Sequence, residues 1–304
     1  MSTRLAPALT PFTDLPEQLV AELEHCGLVP QLVYGAVAAA VAEDLPGEDV
    51  TSEATLDPGQ VGSADLVARA DGVVAGLAVA ELVFRYLVGD VEVRRTAADG
   101  EQVTRGDVLL TVRGPVPLLL TAERTALNFL CHLSGVATAT HRWVEALAGT
   151  GARVRDTRKT TPGFRALEKY AVRCGGGVNH RTSLSDQALV KDNHVLAAGG
   201  VAPAYRAVTE RYPDLPVQVE VTTLDQLREL LEVGAPEILL DNMSTEQMAE
   251  AVRITAGRAR LEASGGLTVG RAREVAETGV DFLAVGGLTH SAPVLDVAMD
   301  LQGS

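Results

Sequence analysis

The fold is decided by residues 216–242, "PVQVEVTTLDQLRELLEVGAPEILLDN". Two short runs rich in Val, Ile and Leu, at 217–221 and 237–240, lie on either side of a segment whose leucines recur at helical spacing. A strand, a helix and a second strand in this order are typical of a parallel βα unit, because parallel strands need a crossover between them. This stretch therefore predicts a parallel sheet.

The same unit recurs through the second half of the chain. From residue 152 onward, short apolar strands alternate with segments of helix length, and the last four strands begin at intervals of 20 to 24 residues. The predicted strands are "ARVRDT", "QALVKDN", "PVQVEVT", "EILLDN", "ARLEASGG" and "DFLAVGG". We expect an α/β barrel, with an open sheet as the alternative.

The first part of the chain has a different pattern. Between 61 and 117, short alternating runs are separated by Asp-Gly and Arg-Gly-Asp turns, which predict the hairpins of a small sheet. The segments "QLVYGAVAAAVAED" at 31–44 and "AVAELVFRYLV" at 78–88 predict helices. Biotinyl and lipoyl carrier domains have similar turns, but they present a modified lysine, and residues 61–117 contain no lysine. We therefore expect a small domain of helices and strands with a structural role.

The composition excludes several classes of protein. A net charge of -14 argues against nonspecific binding to nucleic acid or to an anionic membrane surface. The longest apolar run, at 34–42, is far shorter than the roughly 20 residues that span a membrane, and the first residues lack the apolar core of a signal peptide. Three widely spaced cysteines without a CxxC motif suit a reducing compartment. We expect a cytoplasmic protein.

Polar or glycine residues follow every predicted strand of the second half. In an α/β barrel the carboxyl ends of the strands form the face that binds ligands, so six such ends predict one site. These strand ends are Asp156–Lys159, Lys191–His194, Glu220, Asp241–Asn242, Ser264–Gly266 and Gly286–Gly287.

Positive charge is concentrated in one region of this acidic chain. Between 151 and 195, Lys and Arg exceed Asp and Glu by five. Arg165, Lys169 and Arg173 have helical spacing, so we expect them on a solvent-exposed face. The cations at strand ends or in a Gly-rich loop would repel one another unless an anion binds, which predicts a multiply anionic ligand. These cations are Arg158, Lys159, Arg181 and Lys191.

The two acids at the ends of neighbouring strands admit two interpretations. Glu220 and Asp241 follow apolar residues, where an unpaired carboxylate is costly, so they could pair with the cations. Two carboxylates that face a phosphorylated ligand also describe a magnesium site. The late turns "SGG" and "VGG" would let backbone N–H groups approach a phosphate. His180 precedes Arg181 in a Gly-rich loop, and we expect it either to contact the ligand or to orient Arg181.

The chain resembles the quinolinate phosphoribosyltransferase family over nearly its whole length. The segments that resemble the family are "AEDLPGEDVTS", "ERTALNFLCHLSGVAT", "DTRKTTPGFRALEKYAVRCGGGVNHR", "VKDNH", "VEV", "LLDNM", "SGG" and "FLAVGGLTH". The block from 156 to 194 is long and specific, and it is strong evidence for the resemblance.

The resemblance implies an α/β fold with a small N-terminal α/β sandwich domain and a C-terminal incomplete α/β barrel, as in type II phosphoribosyltransferases. It divides the chain into a leader (1–30), the sandwich (31–117), the barrel (118–290) and a C-terminal helix (291–304) that packs back on the first domain. It also implies a homodimer with a shared active site, to which the neighbouring subunit contributes Arg124.

The resemblance also implies roles for individual residues. Quinolinate would be bound by Arg124, Arg158, His180, Arg181 and Lys191. The phosphoribosyl donor, PRPP, would be bound by Thr157, Lys159, Glu220, Asp241, Ser264, Gly265, Gly266, Val285, Gly286 and Gly287. The catalytic residues would be Lys159, Glu220 and Asp241, and Mg²⁺ would be held by Glu220 and Asp241.

The activity that the resemblance implies is transfer of phosphoribose from PRPP to quinolinate with loss of CO₂, which gives nicotinate mononucleotide for NAD synthesis. Two alternatives are a paralogue of the same fold that acts on nicotinate or another anionic acceptor, and a regulator that binds phosphate without catalysis. Several carboxylate-binding cations favour a dicarboxylate over nicotinate, and a regulator would have no use for Glu220 and Asp241.

Overall fold

The computed structural model describes residues 6–303, and the chain divides into two compact units. The first unit consists of Met1–Ala139, Pro162–Gly175 and Ala292–Ser304, and the second of Thr140–Thr161 and Gly176–Ser291. Residues 1–5 and 304 lie outside the described part.

The first unit contains most of the long helices. Pro30 occupies the first turn of α2, where its missing N–H costs nothing, and Val33, Val37 and Val41 place a buried stripe on one face of that helix. Helix α4 is buried on almost all sides and follows the predicted segment. The helices are α1 Glu17–His25, α2 Pro30–Asp44, α3 Val50–Thr55, α4 Leu77–Val88, α5 Val116–Ala146, which continues into the second unit, and α6 Arg165–Cys174.

The sheet of the first unit is antiparallel, in the order β12-β1-β5-β3. A separate two-stranded ladder joins β2 to β4. The strands are β1 Val61–Ala68, β2 Gly72–Val73, β3 Glu92–Arg95, β4 Gln102–Val103, β5 Val108–Pro115 and β12 Val297–Leu301.

The predicted C-terminal helix is wrong. Residues 297–301 form strand β12, which pairs with β1 from Ala64↔Leu301 to Ala68↔Val297. The segment does return to the first unit, but as a strand, because the outer edge of β1 needs hydrogen-bond partners that a helix cannot offer. The short apolar pattern there suits either a strand or a helix, so the sequence did not distinguish them.

The predicted domain boundaries also differ from the two units. The leader is not a separate segment, since α1 buries Leu19 and Leu23 and packs against α4 of the first unit. Residues 118–139 and α6, which were expected in the barrel, belong to the first unit as well. The expectation that α6 turns Lys169 to solvent is wrong, because this side chain is 2% exposed.

The second unit is built on a six-stranded parallel sheet in the order β6-β11-β10-β9-β8-β7. Its strands are β6 Arg153–Arg155, β7 Ala188–Val190, β8 Val217–Val221, β9 Glu237–Asp241, β10 Arg260–Ser264 and β11 Phe282–Ala284. Its helices after α5 are α7 Asp192–Ala198, α8 Val201–Arg211, α9 Leu224–Glu232, α10 Thr245–Thr255, α11 Ala272–Ala276 and α12 Gly287–His290. The predicted parallel strands are thus all present.

The two faces of this sheet differ in character. One face is apolar and fully buried, with Val219 on β8, Leu240 on β9, Ala263 on β10 and Leu283 on β11, and α8 and α9 pack against the sheet. The opposite face is polar, although it is buried too, with Gln218 beside Glu237 in the register of β8 and β9. A buried polar face must satisfy its own hydrogen bonds, so it specifies particular side-chain partners.

No single helix among residues 6–303 has the length and apolar character of a membrane span. One pair, α1 and α2, reaches that length and composition only when both are taken together, and the two helices are bent by 109° relative to each other.

Candidate active site

The strand register aligns the predicted site residues along one edge of the parallel sheet. Asp241 lies level with Ser264, Ser264 with Ala284, and Ala284 with Arg155. On the other side, Val190 is level with Val219, so Lys191 follows at the level of Glu220. The carboxyl ends of all six strands therefore place the predicted cations, acids and glycines of the second unit at this edge.

The acids of this edge are close to a lysine and to each other. The Nζ of Lys191 lies 3.6 Å from Oε2 of Glu220. Burial raises the pKa of Glu220, the nearby carboxylates of Asp241 and Asp192 raise it further, and Lys191 opposes the shift. A cation beside a carboxylate whose pKa is raised stabilises its ionised form, and Mg²⁺ prefers oxygen ligands. Glu220 and Asp241 thus fit a magnesium ion that also takes oxygens from a substrate.

On the other side of the edge, the guanidinium groups of Arg158 and Arg181 lie close enough to repel each other. Arg181 is buried, and its pKa is lowered first by burial and then by repulsion from Arg158. Its Nη1 donates to the carbonyl of Gln187 at 2.9 Å, whereas its buried Nε has no hydrogen-bond partner among the described residues. An anion placed against these two guanidinium groups would offset their repulsion. This arrangement agrees with the predicted preference for a multiply anionic ligand.

The loop of His180 and Arg181 is anchored by Asp156, which was predicted in the first strand-end cluster but without a role of its own. Asp156 is fully buried at the end of β6. Its carboxylate accepts the backbone N–H of His180 at 2.9 Å and the side-chain amide of Asn179 at 2.5 Å. The available signal was an acid, Asp156, that lies between the strand and the cations in "RVRDTRK". The sequence alone did not show which loop its carboxylate would bind.

The turn of Lys159 packs against the last glycine turn. The backbone N–H of Lys159 donates to Oγ1 of Thr157 at 3.0 Å, and its carbonyl accepts from Oγ1 of Thr289 at 2.6 Å. A Cβ on Gly286 would lie 3.0 Å from Cδ of Lys159, so a side chain there would crowd the lysine. Thr289, in "VGGLTH", is a residue that sequence reasoning missed, and its hydroxyl makes the contact with the turn of Lys159.

The turn after β10 needs its first glycine for two reasons. Gly265 has φ +97°, and a Cβ there would lie 2.1 Å from Oδ1 of Asn242. Asn242 in turn donates its side-chain amide to Asp241 at 2.8 Å and its backbone N–H to the carbonyl of Ser264 at 2.9 Å. The glycine thus leaves room for the amide that orients Asp241.

The last glycine turn corrects one prediction. The backbone N–H of Val285 donates to the carbonyl of Arg155 at 2.9 Å, so it is engaged in the sheet and is not available to a phosphate. A phosphate cradle from this turn would be formed by Gly286 and Gly287 without Val285.

Arg124 belongs to the first unit. It lies exposed on α5 and lines a cavity of about 290 Å³, together with Asp44, Glu48 and Asp49. Its contribution to the active site stays a prediction.

A group of possible metal ligands inside the sheet has a different explanation. His180, Glu237 and Glu262 lie close enough together to share an ion. Nη1 of Arg155, however, lies 2.7 Å from Glu237 and 2.6 Å from Glu262. A guanidinium between the two carboxylates already supplies the positive charge, so this group is an ion-pair network.

An incomplete α/β barrel with cations, carboxylates and glycine turns at the carboxyl ends of its strands is typical of an enzyme that binds its substrate at this edge. Residues 136–300 match the family profile "Quinolinate phosphoribosyl transferase, C-terminal domain", and residues 49–134 match the N-terminal domain of the same family. The chain belongs to the quinolinate phosphoribosyltransferase family, as the resemblance predicted, and it is therefore a phosphoribosyltransferase.

Relatives with curated names match most of the chain. A nicotinate-nucleotide pyrophosphorylase (carboxylating) of Mycobacterium leprae is 50% identical over 86% of this chain and 94% of its own length. A quinolinate phosphoribosyltransferase (decarboxylating) of Nicotiana glauca is 36% identical over 84% of this chain and 77% of its own. The solved nicotinate-nucleotide pyrophosphorylase of Francisella tularensis has a TM-score of 0.87 and 36% identity, over 90% of this chain and 96% of that one. These similarities confirm the predicted fold class.

Proposed function

We propose that the protein transfers the 5-phosphoribosyl group of PRPP to the ring nitrogen of quinolinate and releases pyrophosphate and CO₂. The product is nicotinate mononucleotide, a precursor of NAD. The observation that supports this proposal most is the separation of charge along the barrel edge. Mutually repelling arginines lie on the β6 side, and crowded carboxylates lie on β8 and β9.

The arginine side suits the two carboxylates of quinolinate. Arg158 and Arg181 present guanidinium groups that pair with carboxylates in a planar fork. Lys191 lies beside Glu220 on the carboxylate side, and from there it would add a compact charge to the quinolinate site. His180 lies in the same loop as Arg181, and a second copy of the chain would supply Arg124 in a homodimer.

The carboxylate side suits the phosphoribosyl donor. Glu220 and Asp241 would bind the ribose hydroxyls and Mg²⁺, while Lys159 would lie between the two substrates, beside Thr157. Ser264, Gly265 and Gly266, together with Gly286 and Gly287, would bind the 5-phosphate through backbone N–H groups. Bound Mg²⁺ would neutralise the charge of the leaving pyrophosphate.

The chemistry then follows from charge. As the bond from C1′ of ribose to pyrophosphate breaks, C1′ becomes positive, and the carboxylates of Glu220 and Asp241 stabilise it electrostatically. The ring nitrogen of quinolinate forms the new bond to C1′ and becomes a pyridinium. The bond from ring C2 to its carboxylate breaks, the pyridinium accommodates the electron pair, and a proton replaces CO₂ at C2.

A paralogous activity on nicotinate or another anionic acceptor is the alternative. Two neighbouring arginines at one edge favour a dicarboxylate, because each guanidinium group can pair with one of its carboxylates. We also propose a homodimer that works in the cytoplasm, where three free thiols suit a reducing environment.

The test is turnover of purified protein with quinolinate, PRPP and Mg²⁺. We expect equal amounts of nicotinate mononucleotide and CO₂, measured by chromatography and by release from carboxyl-labelled quinolinate. Asp241→Asn is the control, and it should abolish turnover without unfolding the protein. Inactivity with quinolinate combined with turnover of nicotinate would overturn the proposal in favour of the alternative.

A further inference from the structure

A continuous chain of hydrogen bonds runs from His180 into the buried polar face of the parallel sheet. Nε2 of His180 lies 2.9 Å from Oε1 of Gln218, and Nε2 of Gln218 lies 3.1 Å from Oε2 of Glu262. Nη1 of Arg155 reaches the same Oε2 at 2.6 Å and Glu237 at 2.7 Å. Every member of the chain is buried, and Gln218 has no exposed surface. Water therefore does not compete for these contacts.

The direction of each bond follows from the arginine. A guanidinium only donates hydrogen bonds, so Oε2 of Glu262 must accept from Arg155. In its ion pair with Arg155, Glu262 is a carboxylate, whose oxygens can only accept, so the same oxygen accepts from Gln218. Turning the Gln218 amide around would place two oxygens 3.1 Å apart in a buried site, which is strongly unfavourable. The side-chain NH₂ of Gln218 therefore points at Glu262, and its carbonyl oxygen points at His180.

This orientation decides which ring nitrogen of His180 is protonated. The carbonyl oxygen of Gln218 can only accept, so Nε2 of His180 has to be the donor. The backbone N–H of His180 is held separately by Asp156 at 2.9 Å. The residue is thus fixed at its main chain and at one end of its ring.

We propose that Gln218 is a positioning residue for His180, which it holds as the Nε2–H tautomer in one ring orientation, and that the Arg155–Glu262 ion pair sets the direction of Gln218. In an uncharged network, a glutamine and a histidine could exchange donor and acceptor roles together. The buried ion pair removes that freedom, since only one amide orientation avoids facing two oxygens. The inference rests on the proposed function only where His180 is taken to bind quinolinate.

The direct test is ¹⁵N NMR of protein labelled selectively at its 6 histidines. Spectra are recorded near pH 8, where a histidine of ordinary pKa is neutral, and His180→Asn identifies the resonances of His180. We expect Nε2 in the range of a protonated nitrogen and Nδ1 in the range of an unprotonated one. A proton on Nδ1, or rapid exchange between the two tautomers, in the unaltered protein would overturn the proposal.

Two variants test the chain of hydrogen bonds from Glu262 through Gln218 to His180, and each removes a different part of it. Gln218→Leu deletes the acceptor, and Glu262→Gln keeps the shape but deletes the charge that orients Gln218. Both should give a mixture of His180 tautomers. Gln247→Leu is the control, because Gln247 accepts a bond from Ser244 at an exposed helix start of the same unit, and it should leave the tautomer unchanged. Unchanged His180 resonances in a folded Gln218→Leu variant would contradict the proposal.

Kinetics separate this inference from the proposed function. If His180 binds quinolinate, Gln218→Leu should raise the KM for quinolinate by about tenfold, the effect of one misplaced hydrogen bond, and leave the KM for PRPP within about twofold. An unchanged KM for quinolinate alongside a changed tautomer would reject the role of His180 in binding and keep the positioning by Gln218. Because the NMR experiment uses free protein, it gives its answer even if quinolinate is not the substrate.

Discussion

At the scale of single residues, the candidate site depends on Arg158 and Arg181, two arginines that repel each other. The burial of Arg181 and its proximity to Arg158 both lower its pKa, which means that the charged form is disfavoured in the free protein. Binding of an anionic substrate to both guanidinium groups would offset the free-energy cost of keeping them charged and close together. Under the proposed function, the same arrangement would favour a ligand with two carboxylates, one for each guanidinium group.

Replacement of Arg158 tests this division of roles. Arg158→Ala should raise the KM for quinolinate by about 10- to 100-fold, since charge-assisted hydrogen bonds contribute roughly 1.5–3 kcal/mol. The KM for PRPP should change little, as measured by steady-state kinetics with each substrate varied in turn.

The matched control for this experiment is Arg253→Ala. Arg253 is a largely exposed arginine on α10, paired with Glu250 three residues earlier, and its loss should leave both KM values unchanged. If Arg158→Ala weakened PRPP and spared quinolinate, the assignment of the two substrates to the two sides of the edge would be reversed.

At the scale of elements, Gly135 sets how closely helix α5 approaches the segment that leads into β12. A Cβ on Gly135 would lie 2.2 Å from the carbonyl oxygen of Pro293 and 2.8 Å from Cα of Val294. Both neighbours are backbone atoms of the C-terminal segment, so they cannot turn aside as a side chain could. The C-terminal strand therefore depends on a missing side chain in a helix far away in sequence.

Two alanine substitutions should have opposite effects on stability. Gly135→Ala should lower the free energy of unfolding by about 1–3 kcal/mol, because it overpacks a contact that cannot relax. Gly35→Ala lies in helix α2 with no atom near the added Cβ, and it should stabilise the protein by about 0.5–1 kcal/mol through its better helix propensity. Urea unfolding measures both. Equal stability of the Gly135→Ala variant and the unaltered protein would show that Gly135 does not lie this close to Pro293 and Val294 in solution.

At the scale of the whole molecule, the proposed homodimer predicts that two inactive variants recover activity when they are mixed. If Arg124 completes the site of a neighbouring copy, Arg124→Ala and Lys191→Ala should each be nearly inactive. After mixing under conditions that exchange subunits, heterodimers would contain one intact site and should recover activity.

The control for this exchange is a mixture of Arg158→Ala with Lys191→Ala. Both residues belong to the same unit, so every site in any mixed dimer keeps one defect, and activity should stay low. Recovery in this control, or no recovery with Arg124→Ala, would argue against the shared site.

Sequence reasoning located most of the candidate site because its residues are local to strand ends. Periodicity identified each strand, and the ligand-binding face of a barrel follows from strand direction. Asp156 and Asn242 were predicted in strand-end clusters without a role of their own, and Thr289 was missed. The partners of Asp156 and Thr289 lie in other loops, where only the tertiary fold brings them together. Lys169 was misplaced for a similar reason, since helical spacing alone does not say what covers a face.

The amino-acid sequence by itself determined the parallel strands, the cations and acids at their ends and the family of the protein, because these depend on short-range patterns and on residue identity. The tertiary structure decided what depends on contacts between distant segments. It made residues 297–301 a strand, because β1 has an open edge, and it engaged the N–H of Val285 in the sheet. It also buried Gln218 between His180 and the Arg155–Glu262 ion pair, because the register of the sheet and the loop before β7 bring these side chains together.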